Sequence, residues 1–307
     1  MRISAQYWVY PALLWRDDSR ATVAARGANT GMMIDSHHHL WKYSRAEYGW
    51  ITPDMRVLQR SFLPPDLETL MHHFGIEGTV AVQARETIEE TRWLLSLAKQ
   101  HPLIRGVVGW VPLTDGARVK PHLEHFSANK KLRGVRHVVH DEPDPRYILR
   151  DDFNAGVREL RAFALRYDIL IFERHLPASI EFVDRNPNQI FIVDHIAKPR
   201  IKDKIISPWD RHMREMARRE HVYCKLSGMV TEADLAHWKA ADLQPYIDVV
   251  LEAFGPKRVM YGSDWPVVLR ACDYARWFNT ANQAIAKLSK DEQERIMGGT
   301  AIEAYGL

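Results

Sequence analysis

The stretch MMIDSHHHLW, Met32 to Trp41, sets an aspartate and three consecutive histidines directly behind a short apolar run. Neutral imidazole is the commonest side-chain metal ligand and titrates near neutral pH, so a His-x-His pair can hold a divalent cation or move a proton. The pair alone carries little weight. With 15 histidines in 307 residues, chance supplies roughly one such pair per chain, so its meaning depends on what positions it.

On an extended strand, side chains alternate, which puts His37 and His39 on one face and His38 on the other, toward core or flanking helices. From Met33 onward, short runs rich in β-branched residues alternate with longer segments of helical period. The strand candidates are residues 33–37, 78–83, 104–111, 132–138, 168–173, 189–195, 221–226 and 258–264. Helical segments lie at 64–74, opened by two prolines, at 87–101, capped by Thr87, and at 151–167, with acids in its first turn. Others follow at 176–187, 207–220, 243–255, 271–288 and 289–299. Eight strands in alternation with helices predict an α/β fold, a single-domain (β/α)8 TIM barrel over residues 32–307. No Gly-x-Gly-x-x-Gly follows a strand, which argues against a doubly wound sheet.

Residues 1–31 are expected to be a poorly ordered N-terminal extension. Their apolar segment YWVYPALLW contains a proline and runs into RDDSR, unlike a signal peptide, and Met32 or Met33 offers an alternative start. The formal charge of +3 is spread among interspersed acids and bases, so a nucleic-acid partner is not expected. No apolar run reaches membrane-spanning length. Cys224 and Cys272 form no paired motif, which suits a reducing, cytoplasmic setting. The oligomeric state is left open.

A barrel of this kind builds its active site at the carboxyl ends of its strands. The predicted ends carry Asp35, His37 and His39 on the first strand, Gln83 on the second and Arg136 with His137 on the fourth. Glu173 ends the fifth, His195 the sixth and Asp264 the eighth. Asp35 is read as a support for the strand that orients a histidine. Arg136 is read either as a donor to a substrate oxygen or as a salt-bridge partner inside the mouth. Gln83 and His137 are candidate substrate contacts, Lys198 and Lys225 weaker ones, and Trp41 and Trp265 offer aromatic faces to a ring-shaped ligand. The pairs His72/His73, His122/His125 and His137/His140 are read as solvated polar faces, His137 excepted.

Together IDSHHHLW, FIVDHIAKP, CKLSGMVTEAD and MYGSDWPV resemble the amidohydrolase superfamily, in particular its sugar-lactonase branch, from Met33 to Leu307. The resemblance implies a hydrolase that opens the internal ester of an aldonolactone. It makes His37, His39, His195 and Asp264 the ligands of one divalent ion, zinc first, with Asp264, His195 and Arg136 catalytic. Metal-free catalysis by the same cluster stays open beside it. Metal-dependent superfamily members carry a lysine or glutamate on the fourth strand and a histidine on the fifth, where this chain has Arg136 and LIFERH, so a two-metal site is not expected. The alternatives are a metal-dependent decarboxylase of the same superfamily and a non-catalytic sugar-acid binder.

Overall fold

The computed structural model describes residues 31–307, so the extension expected at 1–31 lies, Gly31 apart, outside the described residues. Eight strands form one sheet in sequential order, and every neighbouring pair is parallel. They are β1 Ile34–His38, β2 Gly78–Val82, β3 Ile104–Gly109, β4 Leu132–Val138, β5 Arg166–Leu170, β6 Phe191–Val193, β7 Val222–Leu226 and β8 Val259–Tyr261. A parallel bridge between His38 and Trp265 brings the chain after β8 back to β1. Two backbone bonds secure that seam, from His39 N to Trp265 O at 2.7 Å and from Asp264 N to His37 O at 2.8 Å.

The helices are α1 Pro64–Phe74, α2 Ile88–Gln100, α3 Lys120–Ser127, α4 Asp151–Glu159, α5 Leu176–Asp184, α6 Trp209–Ala217, α7 Ala240–Phe254, α8 Tyr274–Ala284, α9 Lys290–Glu294 and α10 Thr300–Tyr305. Thr87 caps α2 by accepting from Glu90 N, as its position predicts. Helix α3 has no counterpart in the sequence pattern. Strand β5 starts two residues earlier than expected because Ala164, at φ 54, stops the preceding helical turn in the left-handed region. The shift matters for the site: Asp168 becomes a mid-strand residue opposite Arg136, and Glu173 falls in a 3-10 turn beyond the strand.

Two apolar clusters carry the fold. The larger one lies between strands and helices, as burial on both faces of a parallel sheet requires. The smaller joins Ile34, Val80, Val82, Val108, Ile192 and Met260 to Ala301, Ala304 and Tyr305. The barrel interior is therefore plugged from one end by α10. Gly298, in the π-helical turn before α10, lets that turn meet the Met32 carbonyl, where any Cβ would collide. Among the described residues, no helix is long and apolar enough to cross a membrane.

Candidate active site

The two-residue spacing does what alternation predicts: His37 and His39 turn the same way, with their Nε2 atoms 3.2 Å apart. His38 turns away and meets Thr79 Oγ1 at 3.0 Å in the core. Asp264 Oδ1 completes the group, 3.4 Å from His39 Nε2, 3.8 Å from His37 Nε2 and 3.9 Å from His195 Nε2. All four side chains are almost fully buried.

Two of them stand on strained backbone. Asp264 has φ 57, and His195 opens a run of four left-handed residues through Lys198, with φ of 54, 48, 59 and 47. Each such residue without glycine's freedom carries a penalty of roughly 1–2 kcal/mol. Conformations of this kind persist where surrounding contacts over-determine them, and they cluster at functional sites. Here the contacts are visible: His195 Nδ1 lies 2.8 Å from Ser227 Oγ, and Asp264 N is tied to β1.

Beneath the imidazoles lies a layer of charge. Lys225 Nζ, wholly buried, donates to Asp168 Oδ2 at 2.6 Å, lies 2.9 Å from Asp194 Oδ1 and reaches His37 Nδ1 at 3.1 Å. Arg136 Nη1 donates to Asp194 Oδ2 at 3.0 Å, and its Nη2 donates to both oxygens of Gln83. Tyr305 closes the layer from α10 with a 2.6 Å hydrogen bond to Asp168 Oδ2. Burial opposes the charge on Asp194, but Lys225, His37 and Arg136 outweigh it and hold that carboxyl well below its usual range. Burial likewise opposes the charge on Asp264, and His195, His39 and Lys198 overcome it. For the imidazoles burial wins: His195 is pushed down to about 3, and His37, also disfavoured by Lys225, well below its ordinary value. The site thus holds His37 and His195 as neutral rings beside the ionised carboxylates of Asp194 and Asp264.

A sequence profile of the amidohydrolase family matches residues 34–307, nearly the whole described chain. The chain belongs to the amidohydrolase family. This amidohydrolase is 41% identical over 290 residues to an L-fucono-1,5-lactonase of Burkholderia multivorans, covering 90% of this chain and 96% of that one. It is 34% identical over 276 residues to an L-fucono-1,5-lactonase of Burkholderia ambifaria, covering 89% and 94%. A solved amidohydrolase structure from Burkholderia multivorans with bound zinc superposes with a TM-score of 0.84 at 40% identity, covering 90% of this chain and 99% of that one.

The donors of this amidohydrolase fit a divalent cation. One ligand atom each from His37, His195 and Asp264 lie within 4.8 Å of one another, and His39 Nε2 adjoins them. His39 Nδ1 must donate to the Val82 carbonyl at 2.9 Å, so Nε2 is the ring nitrogen that faces the group. Neutral imidazole is also the ligating form.

Other expected contacts fall differently. Asp35 binds backbone rather than a ring: it accepts from His37 N at 3.2 Å, Ser263 N at 2.8 Å and the Tyr274 hydroxyl at 3.2 Å, and burial pushes its carboxyl up to about 6. Arg136 takes the salt-bridge role, since both its terminal nitrogens are engaged and it is 3% exposed. Gln83 is held by Arg136, with its buried Nε2 unpartnered among the described residues. Trp41 offers no open face to a sugar, because Tyr48, Trp50 and Phe62 pack around it and its Nε1 donates to Arg60 O. Trp265 is buried against Phe62. His137 is spanned by Glu86 at 3.1 Å and Glu142 at 2.7 Å and stacks on Tyr147, so it pins the loop after β4 instead of facing a ligand. Lys198 is partly exposed, paired with Glu232 at 2.8 Å. Lys225 is too deep to touch substrate. Asp168, Asp194 and Ser227 were absent from the sequence expectations; the two acids do leave a trace there, as lone charges in or beside apolar strand segments.

Proposed function

We propose that this amidohydrolase opens the internal ester of a sugar-acid lactone, with L-fucono-1,5-lactone the first candidate substrate. The observation that carries the reading is the convergence of His37, His39, His195 and Asp264 at one end of the barrel. The lactonases at 41% and 34% identity support it. Asp264 is the base. Its carboxylate is ionised at neutral pH, so it can take a proton from water as the oxygen bonds to the lactone carbonyl carbon. When the acyl carbon–oxygen bond of the ring breaks, Asp264 returns that proton to the departing alkoxide. The products are the open hydroxy acid and a regenerated carboxylate.

The other residues keep this geometry. His39 is oriented by Val82 O and His195 by Ser227, while Arg136 locks Gln83 and Asp194 below His37. A divalent cation, zinc in this proposal, would be held by His37, His39, His195 and Asp264 and would supply Lewis acidity toward the carbonyl and a lowered water pKa. Ring size and hydroxyl stereochemistry would be read by the loops at the mouth, where Lys198 and Glu232 stand.

The test is hydrolysis of a panel of aldonolactones, followed by acid release, with metal content counted before and after chelation. Loss of activity on chelation and its return with zinc supports the metal-assisted form. Activity indifferent to chelation supports Asp264 acting with the histidines alone. Failure to open any lactone, together with carbon dioxide release from an aromatic acid, would replace the reading with a decarboxylase.

A further inference from the structure

At the amino ends of β3, β4 and β5, opposite the mouth, stand Arg105, Arg133 and Arg166, with Lys131 directly before β4. All four are partly buried. Glycines make room for two of the stems: a Cβ on Gly78 would lie 2.4 Å from Arg105 Cδ, and one on Gly106 would lie 3.0 Å from Arg133 Cγ. Each of these arginines therefore lies against the strand before its own. Arg133 Nη1 and Arg166 Nη2 converge at the end of α10, where the Cβ position of Gly306 is 3.8 Å from the first and 3.6 Å from the second.

The donors of this group meet backbone oxygen or nothing. Arg105 Nε donates to Glu77 O at 3.1 Å, Lys131 Nζ to Ile104 O at 2.9 Å, and Arg166 to the carbonyls of Ala304 and Ala164. Arg133 makes no side-chain hydrogen bond among the described residues, and its Nε is buried without an acceptor. None of the four has a carboxylate partner among the described residues. Glu303, the acid of α10, is held by Arg295 at 2.6 Å and accepts from the Tyr223 hydroxyl at 3.3 Å.

The cations repel one another. Burial lowers the Lys131 ammonium, and Arg105 and Arg133 lower it further; Arg166 is lowered by burial and then by Arg133. The groups that offset this at Arg166 are the phenols of Tyr305 and Tyr223, which burial keeps protonated. Beneath the active site the pattern is the reverse, since Lys225 and Arg136 there face Asp168 and Asp194. Partly buried charge without a counter-charge is costly, so the floor calls for an anion.

We infer that the floor of the barrel binds a tetrahedral oxyanion of the phosphate class, free or as the end group of a small phosphorylated molecule, anchored by Arg133 and Arg166 and flanked by Arg105 and Lys131. Guanidinium forks suit phosphate and carboxylate alike. Charge decides between them: a phosphate group brings about two negative charges and three acceptor oxygens, enough to meet donors from two strands at once. Arg133 is the anchor because no acceptor in the fold competes for it. The floor lies at the other end of the barrel from His37, His39, His195 and Asp264, so the inference goes beyond the lactonase reading and does not depend on it.

The test is calorimetric titration of the chelated protein with inorganic phosphate, and separately with phenyl phosphate, at constant ionic strength in chloride, for wild type and Arg133→Met. Chelation keeps phosphate from a cation at the mouth. The expected result is one site per chain, with affinity about 10–100-fold weaker in Arg133→Met, the loss for one charged hydrogen-bonding partner. Tighter binding of inorganic phosphate would assign the floor to the free ion, and tighter binding of the ester to a terminal phosphoryl group. Any lactone turnover measured in phosphate-free buffer should be the same in both proteins. Absence of binding by both probes in wild type would overturn the inference. Equal affinity in the two proteins would overturn it as well, by placing the anion elsewhere. Where Arg133→Met does not fold, Arg133→Lys, which keeps the charge and loses the fork, replaces it with the same expected direction.

Discussion

Gly228 offers the sharpest test of how the fold holds His195. It follows Ser227 at the end of β7, has φ +60, and a Cβ built on it would lie 2.4 Å from His195 Nδ1, 2.5 Å from Cγ and 2.9 Å from Cβ. Gly228→Ala therefore meets three penalties. A left-handed alanine is disfavoured by roughly 1–2 kcal/mol, and forcing an extra carbon into packed surroundings adds roughly 1–3 kcal/mol. Pushing the ring away also unmakes the 2.8 Å contact with Ser227, about 1 kcal/mol for an ordinary hydrogen bond. Alanine's stiffer unfolded chain returns about 0.4–1 kcal/mol. The expected loss in unfolding free energy is about 2–6 kcal/mol by these increments, read from denaturant titration. The kinetic loss should exceed what unfolding explains: displacement by about 1 Å can lower the rate about 100-fold, measured as lactone kcat/KM well below the melting temperature. A Gly228→Ala protein within about 0.5 kcal/mol of wild type, with unchanged kinetics, would show that His195 is not wedged by this loop.

Three further outcomes are expected. Asp264→Asn keeps the size of the side chain but not its basicity, and turnover should fall about 10²–10⁴-fold while equilibrium binding of a product hydroxy acid, followed by calorimetry, persists. Glu90, buried under Ala84 N, Arg85 N and the Tyr48 hydroxyl, is pushed up to about 7 by burial. The folded carboxyl holds its proton to higher pH than the unfolded one, so its contribution to stability is full below about 4.5 and is lost as pH rises to about 7. Glu90→Gln, which preserves the acceptor for both backbone amides, should flatten that descent in unfolding curves taken between those limits. Phe153→Ala opens a void among His137, Tyr147, Tyr167 and Phe182 and should lower stability by about 3–5 kcal/mol in denaturant titration, with the loop after β4 becoming protease-sensitive first.

Much of this was legible in the chain. Parallel strands buried on both faces must be near-continuous apolar runs, and eight such runs are distinct enough to count. Where helix and strand share residue types, the boundary blurred: ALRY reads as helix, yet a left-handed Ala164 turns it into the approach to β5. The short α3, KPHLEHFS, carries too few apolar positions to show a period. His37, His39, His195 and Asp264 could be found because polar residues at the ends of apolar strands need a reason. Asp168 and Lys225 needed the same question asked of strand interiors. Asp168 is the one acid of β5 and Lys225 the one charge of β7, and their opposite signs meet only through closure of the barrel. Trp41 and Trp265 misled because an aromatic beside a site motif serves packing as readily as binding, and only the three-dimensional neighbours distinguish the two.

The charges of the buried layer explain why the site above it takes the form it does. Lys225 and Arg136 face Asp168 and Asp194, two cations against two anions, and each carboxylate shares a cation within 3.0 Å. That quartet is close to self-neutralising, which is what lets charge lie inside a barrel at all, since an unpaired ion there would be heavily penalised by desolvation. Asp264 is the anion not included. Its neighbours are three imidazoles, of which His37 and His195 are driven to the neutral form by burial, so Asp264 brings a negative charge from outside the quartet to the place where three ring nitrogens converge. That place suits a cation, and it suits a carboxylate that takes up a proton and returns it, which is what a base does during ester hydrolysis. The same argument explains Arg136: a residue that appeared suited to grip substrate is needed below, because without it Asp194 would be the second uncompensated anion, directly against His37.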